Sequence, residues 1–145
     1  DGFEFFGGSV DVKHMVVTNC SDDSFDWTEG WNGRGQFLVA YQEAKETLGF
    51  DCDCLMECDN NGKNFAATPV ACPTLANLTL IGNGEKQGVR LRAGTQVKMY
   101  NALISGKGKC LTTETTETEK ALVDGTSVLN YVTLATDIEC NGAEE

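Results

Sequence analysis

The sequence predicts an all-β fold, a right-handed parallel β-helix of about five coils, on three observations. A four-residue phrase with a charge between two apolar residues recurs four times. A second, mainly apolar phrase follows it at similar distances. The charges of the first phrase recur at intervals of 22, 31 and 33 residues, the range expected when each coil supplies strands to parallel sheets and extra residues go into loops.

The first phrase reads Gly2-Phe3-Glu4-Phe5, Ser24-Phe25-Asp26-Trp27, Leu55-Met56-Glu57-Cys58 and Gly88-Val89-Arg90-Leu91. Side chains of a strand alternate between faces. Phe3 and Phe5, Phe25 and Trp27, Met56 and Cys58, and Val89 and Leu91 therefore fill one interior, while Glu4, Asp26, Glu57 and Arg90 stack outside. The second phrase reads His14-Met15-Val16-Val17, Gln36-Phe37-Leu38-Val39, Asn77-Leu78-Thr79-Leu80, Asn101-Ala102-Leu103-Ile104 and Asn130-Tyr131-Val132-Thr133. Strands of an ordinary sandwich would alternate too, but would not keep two different phrases in order. Asn77, Asn101 and Asn130 are expected to stack at equivalent turns, with amides bonded along the axis. His14 stands where other coils carry Gln or Asn, so it reads as a turn residue rather than a general base.

Between the phrases, residues 43–53 and 60–72 leave the coil rhythm, and Glu43 to Leu48 has the composition of one helical turn. Cys52, Cys54 and Cys72 are expected to pin these excursions. Lys109 to Lys120, with its run of Thr and Glu, reads as a solvated loop. The sequons at Asn19 and Asn77 are discounted as short matches, the second inside a core strand.

The 145 residues, 41% hydrophobic, suffice for one domain over 1–145. No run is long enough to span a bilayer as a helix, so no membrane insertion is expected. Asp1 opens inside a repeat phrase, which predicts missing upstream coils and an open end covered by another protein chain or by the missing segment itself. Seven cysteines and a pI near 4.4 point to an oxidising compartment, hence secretion or the cell surface. Cys110 and Cys140 lie 15 and 14 residues after Thr95 and Thr126, which predicts neighbouring positions and a disulfide. The pairing of Cys20, Cys52, Cys54 and Cys72 stays open, and Cys58 is left as a buried thiol. A zinc site on Cys52, Cys54, Cys58 and Cys72 does not have a standard knuckle spacing.

Residues 1–62 hold 13 acids and 3 bases, whereas residues 84–110 hold one acid and six bases. The net charge of −11 opposes nucleic acid and anionic membranes, while the basic segment suits an acidic coil of a neighbour or an anionic glycan. Glu4, Asp26 and Glu57 on consecutive coils form a candidate calcium site, with no other cofactor indicated. Arg90 and Arg92 on the same face are candidate carboxylate or sugar-acid ligands. As a surface ladder, the same charges would need no ligand. Trp31 and Tyr41 are the candidate sugar platforms.

Asp1 to Gly8, Asp22 to Gly30, Asp59 to Gly62, Pro73 to Gly82 and Val89 to Gly94 carry a resemblance covering most of residues 1–106. The chain resembles the right-handed parallel β-helix proteins of the pectate-lyase-like superfamily, and more narrowly secreted or surface β-helix proteins of Bacteroidota. The resemblance implies longer relatives. It also implies that, in an enzyme, a lyase-type site would fall on Glu4, Asp26, Glu57 and Arg90, with Arg90 as the catalytic candidate. The family's surroundings of a catalytic arginine are not recognisable here, and the acids are not the expected aspartates. The expectation is therefore a structural or binding module for protein or glycan, with a polysaccharide lyase or hydrolase fragment as the alternative.

Overall fold

The computed structural model describes residues 1–142. Its elements run β1 (Phe3–Phe6), β2 (Val12–Thr18), β3 (Phe25–Thr28), β4 (Arg34–Tyr41), α1 (Lys45–Leu48), β5 (Met56–Cys58), β6 (Thr74–Leu91), β7 (Lys98–Thr113), α2 (Thr116–Val123), β8 (Val128–Leu134) and β9 (Ile138–Cys140). Every strand pairing is parallel. The chain visits two ladders alternately, which makes a parallel β-helix. No helix among the described residues is long and apolar enough to cross a membrane.

The first ladder contains β1, β3, β5, the second halves of β6 and β7, and β9. Its register places Phe3, Phe25, Met56, Val89, Leu111 and Ile138 in one row, Glu4, Asp26, Glu57, Arg90, Thr112 and Glu139 in the next, and Phe5, Trp27, Cys58, Leu91, Thr113 and Cys140 in the third. The four predicted phrases thus stack in their predicted register, and two further rungs follow. Inward rings and aliphatic chains pack the centre, where Phe25, Trp27, Met56, Val89, Leu91 and Leu111 are almost wholly buried. The indole of Trp27 also donates to Thr95 Oγ1 at 2.9 Å, so its one polar atom is satisfied in the core.

The second ladder contains β2, β4, the first halves of β6 and β7, and β8. Inward rows include Met15, Leu38, Leu78, Ala102 and Val132, and Val17, Ala40, Leu80, Ile104 and Leu134. One residue per rung falls outside the pairing: His14, Phe37, Asn77, Asn101 and Tyr131. All five are left-handed, with φ of 58°, 58°, 59°, 53° and 57°. This row is a corner that folds each rung of the ladder into two faces. Asn101 Nδ2 donates to Asn77 Oδ1 at 2.7 Å, the expected amide stacking. The third predicted member is displaced: Asn130 lies beside Tyr100, and Tyr131 takes the corner. Likewise Phe37, not Gln36, follows His14, and their rings stack at 5.0 Å with planes 7° apart.

Three other expectations change. Lys109 to Lys120 is not a loop: β7 continues through Thr113, and α2 begins at Thr116. Leu111 fills the inner row, Thr112 and Thr113 are buried beside it, and Thr118 and Ala121 bury one side of the helix. All seven cysteines are free thiols. The Cys110–Cys140 bridge is ruled out by register, because Cys140 lies opposite Thr113, three residues or about 10 Å of strand from Cys110. The excursions are pinned by hydrogen bonds instead of sulfur. In the second, buried Asn60 donates to the carbonyls of Phe65 and Ala67 and accepts from Ala71 N–H, at 3.1, 2.9 and 2.8 Å. In the first, the expected helical turn forms as α1 and ends at Gly49, at φ 78°.

Candidate functional site

The outward charges of the first ladder form a connected network. Arg90 Nε and Nη2 donate to the two carboxylate oxygens of Glu114 at 2.8 and 3.2 Å, and its Nη1 donates to Glu57 Oε1 at 3.0 Å. Arg92 Nη2 donates to Glu57 Oε2 at 2.6 Å and its Nε to Asp59 Oδ1 at 2.7 Å. Two guanidiniums thus sit between three carboxylates. Their side chains are only 15–31% exposed, because neighbouring rungs shield them on both sides. Hydrogen bonding to Glu114 pushes Arg90 above the ordinary arginine range. Burial lifts the Glu57 carboxyl despite the opposing pull of Arg92 and Arg90.

The same face is different toward β1. Asp26 has no cation partner among the described residues. Its carboxyl is raised to about 7, first by burial and then by Glu57, Glu4, Asp23 and Asp59. Asp23 is raised to about 6 by burial, Glu57 and Asp53, although it accepts from Cys54 N–H at 2.8 Å. The predicted calcium set of Glu4, Asp26 and Glu57 is regrouped by the Arg network, which occupies both oxygens of Glu57. Ligand oxygens of Asp1, Glu4 and Asp26 lie within 4.8 Å of one another. Three carboxylates are the hard-oxygen donors that calcium takes. Asp1 also lies within the same reach of Asp22 and Asp23, and a third grouping, Asp23, Cys54 and Glu57, does not fit, because burial raises the Cys54 thiol far up and keeps it from being a thiolate ligand.

Trp31 is not a platform: it is 1% exposed, its ring stacks on Phe5 at 4.3 Å, and its indole donates to the Val10 carbonyl. The loop residue has been packed into the coil. Tyr41 remains half open on the second ladder. Lys86 pairs with Asp53 and Lys109 with Glu139, so much of the basic segment is neutralised within the molecule.

Rings reach solvent at several places, Phe3, Phe6 and Tyr41 among them, and two of the exposed rings, Phe37 and Tyr131, share the corner row. Phe37 is 41% and Tyr131 87% exposed. Between them a shallow groove of about 460 Å³ runs over Asn77, Asn101, Thr79 and Thr133, and no charged side chain lines it. Lys13 lies outside it, its Nζ 5.7 Å from the Phe37 ring centre. The signal that could have found this row is the aromatic that directly follows the Gln or Asn of the phrase at Phe37 and Tyr131, where the other coils carry Met15, Leu78 and Ala102.

A family model described as a pectate-lyase-like beta helix domain matches residues 1–144. No curated protein and no solved structure matches the chain.

Proposed function

Because this chain belongs to the pectate-lyase-like β-helix family, we propose that it keeps the family's scaffold as an extracellular or cell-surface binding module, for glycan or protein, and does not cleave polysaccharide through its charged face. The observation that carries this reading is the occupancy of Arg90 and Arg92. A catalytic base must exchange a proton, and an electrophilic arginine must be able to turn its N–H groups to substrate; three of the five N–H donors of Arg90 and two of those of Arg92 are bonded within the ladder, so neither guanidinium turns without breaking an ion pair. Arg90 is held by Glu114 and Glu57, and Arg92 by Glu57 and Asp59. Releasing either would leave a half-buried carboxylate without its partner. Calcium on Asp1, Glu4 and Asp26 belongs to this reading as a ligand that relieves like-charge repulsion.

One observation favours the hydrolytic alternative. Asp26, raised to about 7 beside Glu4 and Glu57, has the environment by which a glycosidase keeps one carboxyl protonated as general acid. The two readings separate in one assay. The protein is incubated with neutral and uronic-acid polysaccharides, and both new reducing ends and unsaturated uronates are measured. The binding reading expects neither product. Reducing ends formed by the wild type and lost in Asp26→Asn would establish hydrolysis; unsaturated products lost in Arg90→Ala would establish a lyase.

A further inference from the structure

The corner row sets a conformational demand that two of its residues meet poorly. Left-handed φ is tolerated by Gly and Asn and is unfavourable for bulky side chains. Asn77 and Asn101 fit it; Phe37 and Tyr131 occupy the same conformation, at φ 58° and 57°. Core packing does not explain them, since Tyr131 is almost wholly exposed and Phe37, which rests on His14, is open over two-fifths of its surface. An unfavourable backbone retained for a ring that faces water points to a use for the ring.

The rings also stand at a useful spacing. Phe37, Asn77, Asn101 and Tyr131 occupy four successive rungs, so the rings are separated by three strand spacings, about 14 Å. His14 stacks parallel to one face of Phe37, which turns the other face along the axis toward Asn77. The hydrogen bond from Asn101 Nδ2 to Asn77 Oδ1 uses one amide group of each residue. Asn77 Nδ2 and Asn101 Oδ1 are left as a donor and an acceptor on the groove floor, with the hydroxyls of Thr79 and Thr133 alongside. The lining is uncharged in a protein of net charge −11, a combination that disfavours an anionic ligand and offers a basic one no partner.

We propose that the corner groove between Phe37 and Tyr131 is a subsite for a neutral oligosaccharide, whose apolar C–H faces stack on the rings and whose hydroxyls bond to the Asn77 and Asn101 amides. This rests on the binding-module reading, to which it adds a site and a ligand class. It also moves recognition away from the charged ladder to the opposite kind of surface.

The test uses neutral gluco-, manno- and galacto-trisaccharides beside uronic-acid trisaccharides, with saturation-transfer NMR to detect binding and calorimetry to measure it. The variants are Phe37→Asn and Tyr131→Asn, which install the residue that coils three and four already carry. At least one neutral trisaccharide should bind, each variant should weaken it about tenfold, and urea midpoints should stay unchanged or rise. Failure of every neutral trisaccharide to bind would overturn the proposal, as would binding that survives the double variant, or binding of the uronic-acid probes alone. Cleavage of any probe would instead overturn the non-catalytic reading, and that result is visible in the same NMR spectra.

Discussion

Replacing Asp26 by Asn should stabilise the protein, and by an amount that depends on pH. The Asp26 carboxyl titrates at about 7 in the fold against 3.8 for a free aspartate. A raised carboxylate pKa means that the fold holds its proton while the unfolded chain has already lost it. Well below the free value of 3.8 both states are protonated, and the substitution is neutral. As pH rises from there to about 7 wild-type stability falls, and above that the penalty is complete. The difference, 7 − 3.8, corresponds to up to about 4 kcal/mol. Solvent reaches part of the side chain, and screening brings the working figure to about 2 kcal/mol. Asp23, raised to about 6, steepens the same fall. Urea unfolding of both proteins at about pH 3 and about pH 8 measures the effect directly. The expected result is nearly coincident stabilities at the lower pH and a gain of about 2 kcal/mol for Asp26→Asn at the higher, with unchanged m. A variant less stable than wild type at pH 8, or a gain of equal size at both pH values, would refute the argument from burial and like charge.

Calcium at millimolar concentration should raise the wild-type urea midpoint at pH 8 and leave that of Asp26→Asn unmoved; equal responses would remove Asp1, Glu4 and Asp26 as its ligands. Arg90→Ala should cost about 1–3 kcal/mol in urea unfolding, between the values for an exposed pair and a fully buried one, because Glu114 loses its partner while Glu57 keeps Arg92; a loss below about 0.5 kcal/mol would mean the ladder is simply solvated. Asn60→Ala removes three hydrogen bonds inside the second excursion and should cost about 2–4 kcal/mol, with limited proteolysis newly cutting between residues 60 and 72.

The first ladder was legible because period-two alternation carries both faces at once. Phe3 to Phe5, Phe25 to Trp27, Met56 to Cys58 and Val89 to Leu91 each name the inside and the outside, so the register followed. The rung at Leu111 was hidden because its neighbours Thr112 and Thr113 are polar by composition, yet buried by the coils around them. In the second ladder a left-handed residue interrupts alternation inside the phrase, which hides from the sequence the one-residue offset of the corner from Gln36 to Phe37 and from Asn130 to Tyr131. The charged site was half legible. Arg90 beside Glu57 follows from register, but Glu114 reaches Arg90 diagonally from the segment after β7, and how far the pair is buried depends on side chains two coils apart in sequence. Cysteine spacing misled because the last coil crosses between the ladders in fewer residues: Leu134 lies opposite Ile104 and Ile138 opposite Leu111, so the shorter crossing carries Cys140 past Cys110 to Thr113.

The left-handed corner has a consequence for how this protein can change. Backbone geometry at that row is imposed by the rungs on either side, so the identity of its residue does not decide whether the corner forms. Each coil therefore carries one position that works as a mark on a ruler, graduated at the strand spacing and facing outward. Substituting a mark alters what the surface offers a partner while the winding beneath stays fixed. His14, Phe37, Asn77, Asn101 and Tyr131 spell one such inscription, and a related chain can rewrite it one coil at a time.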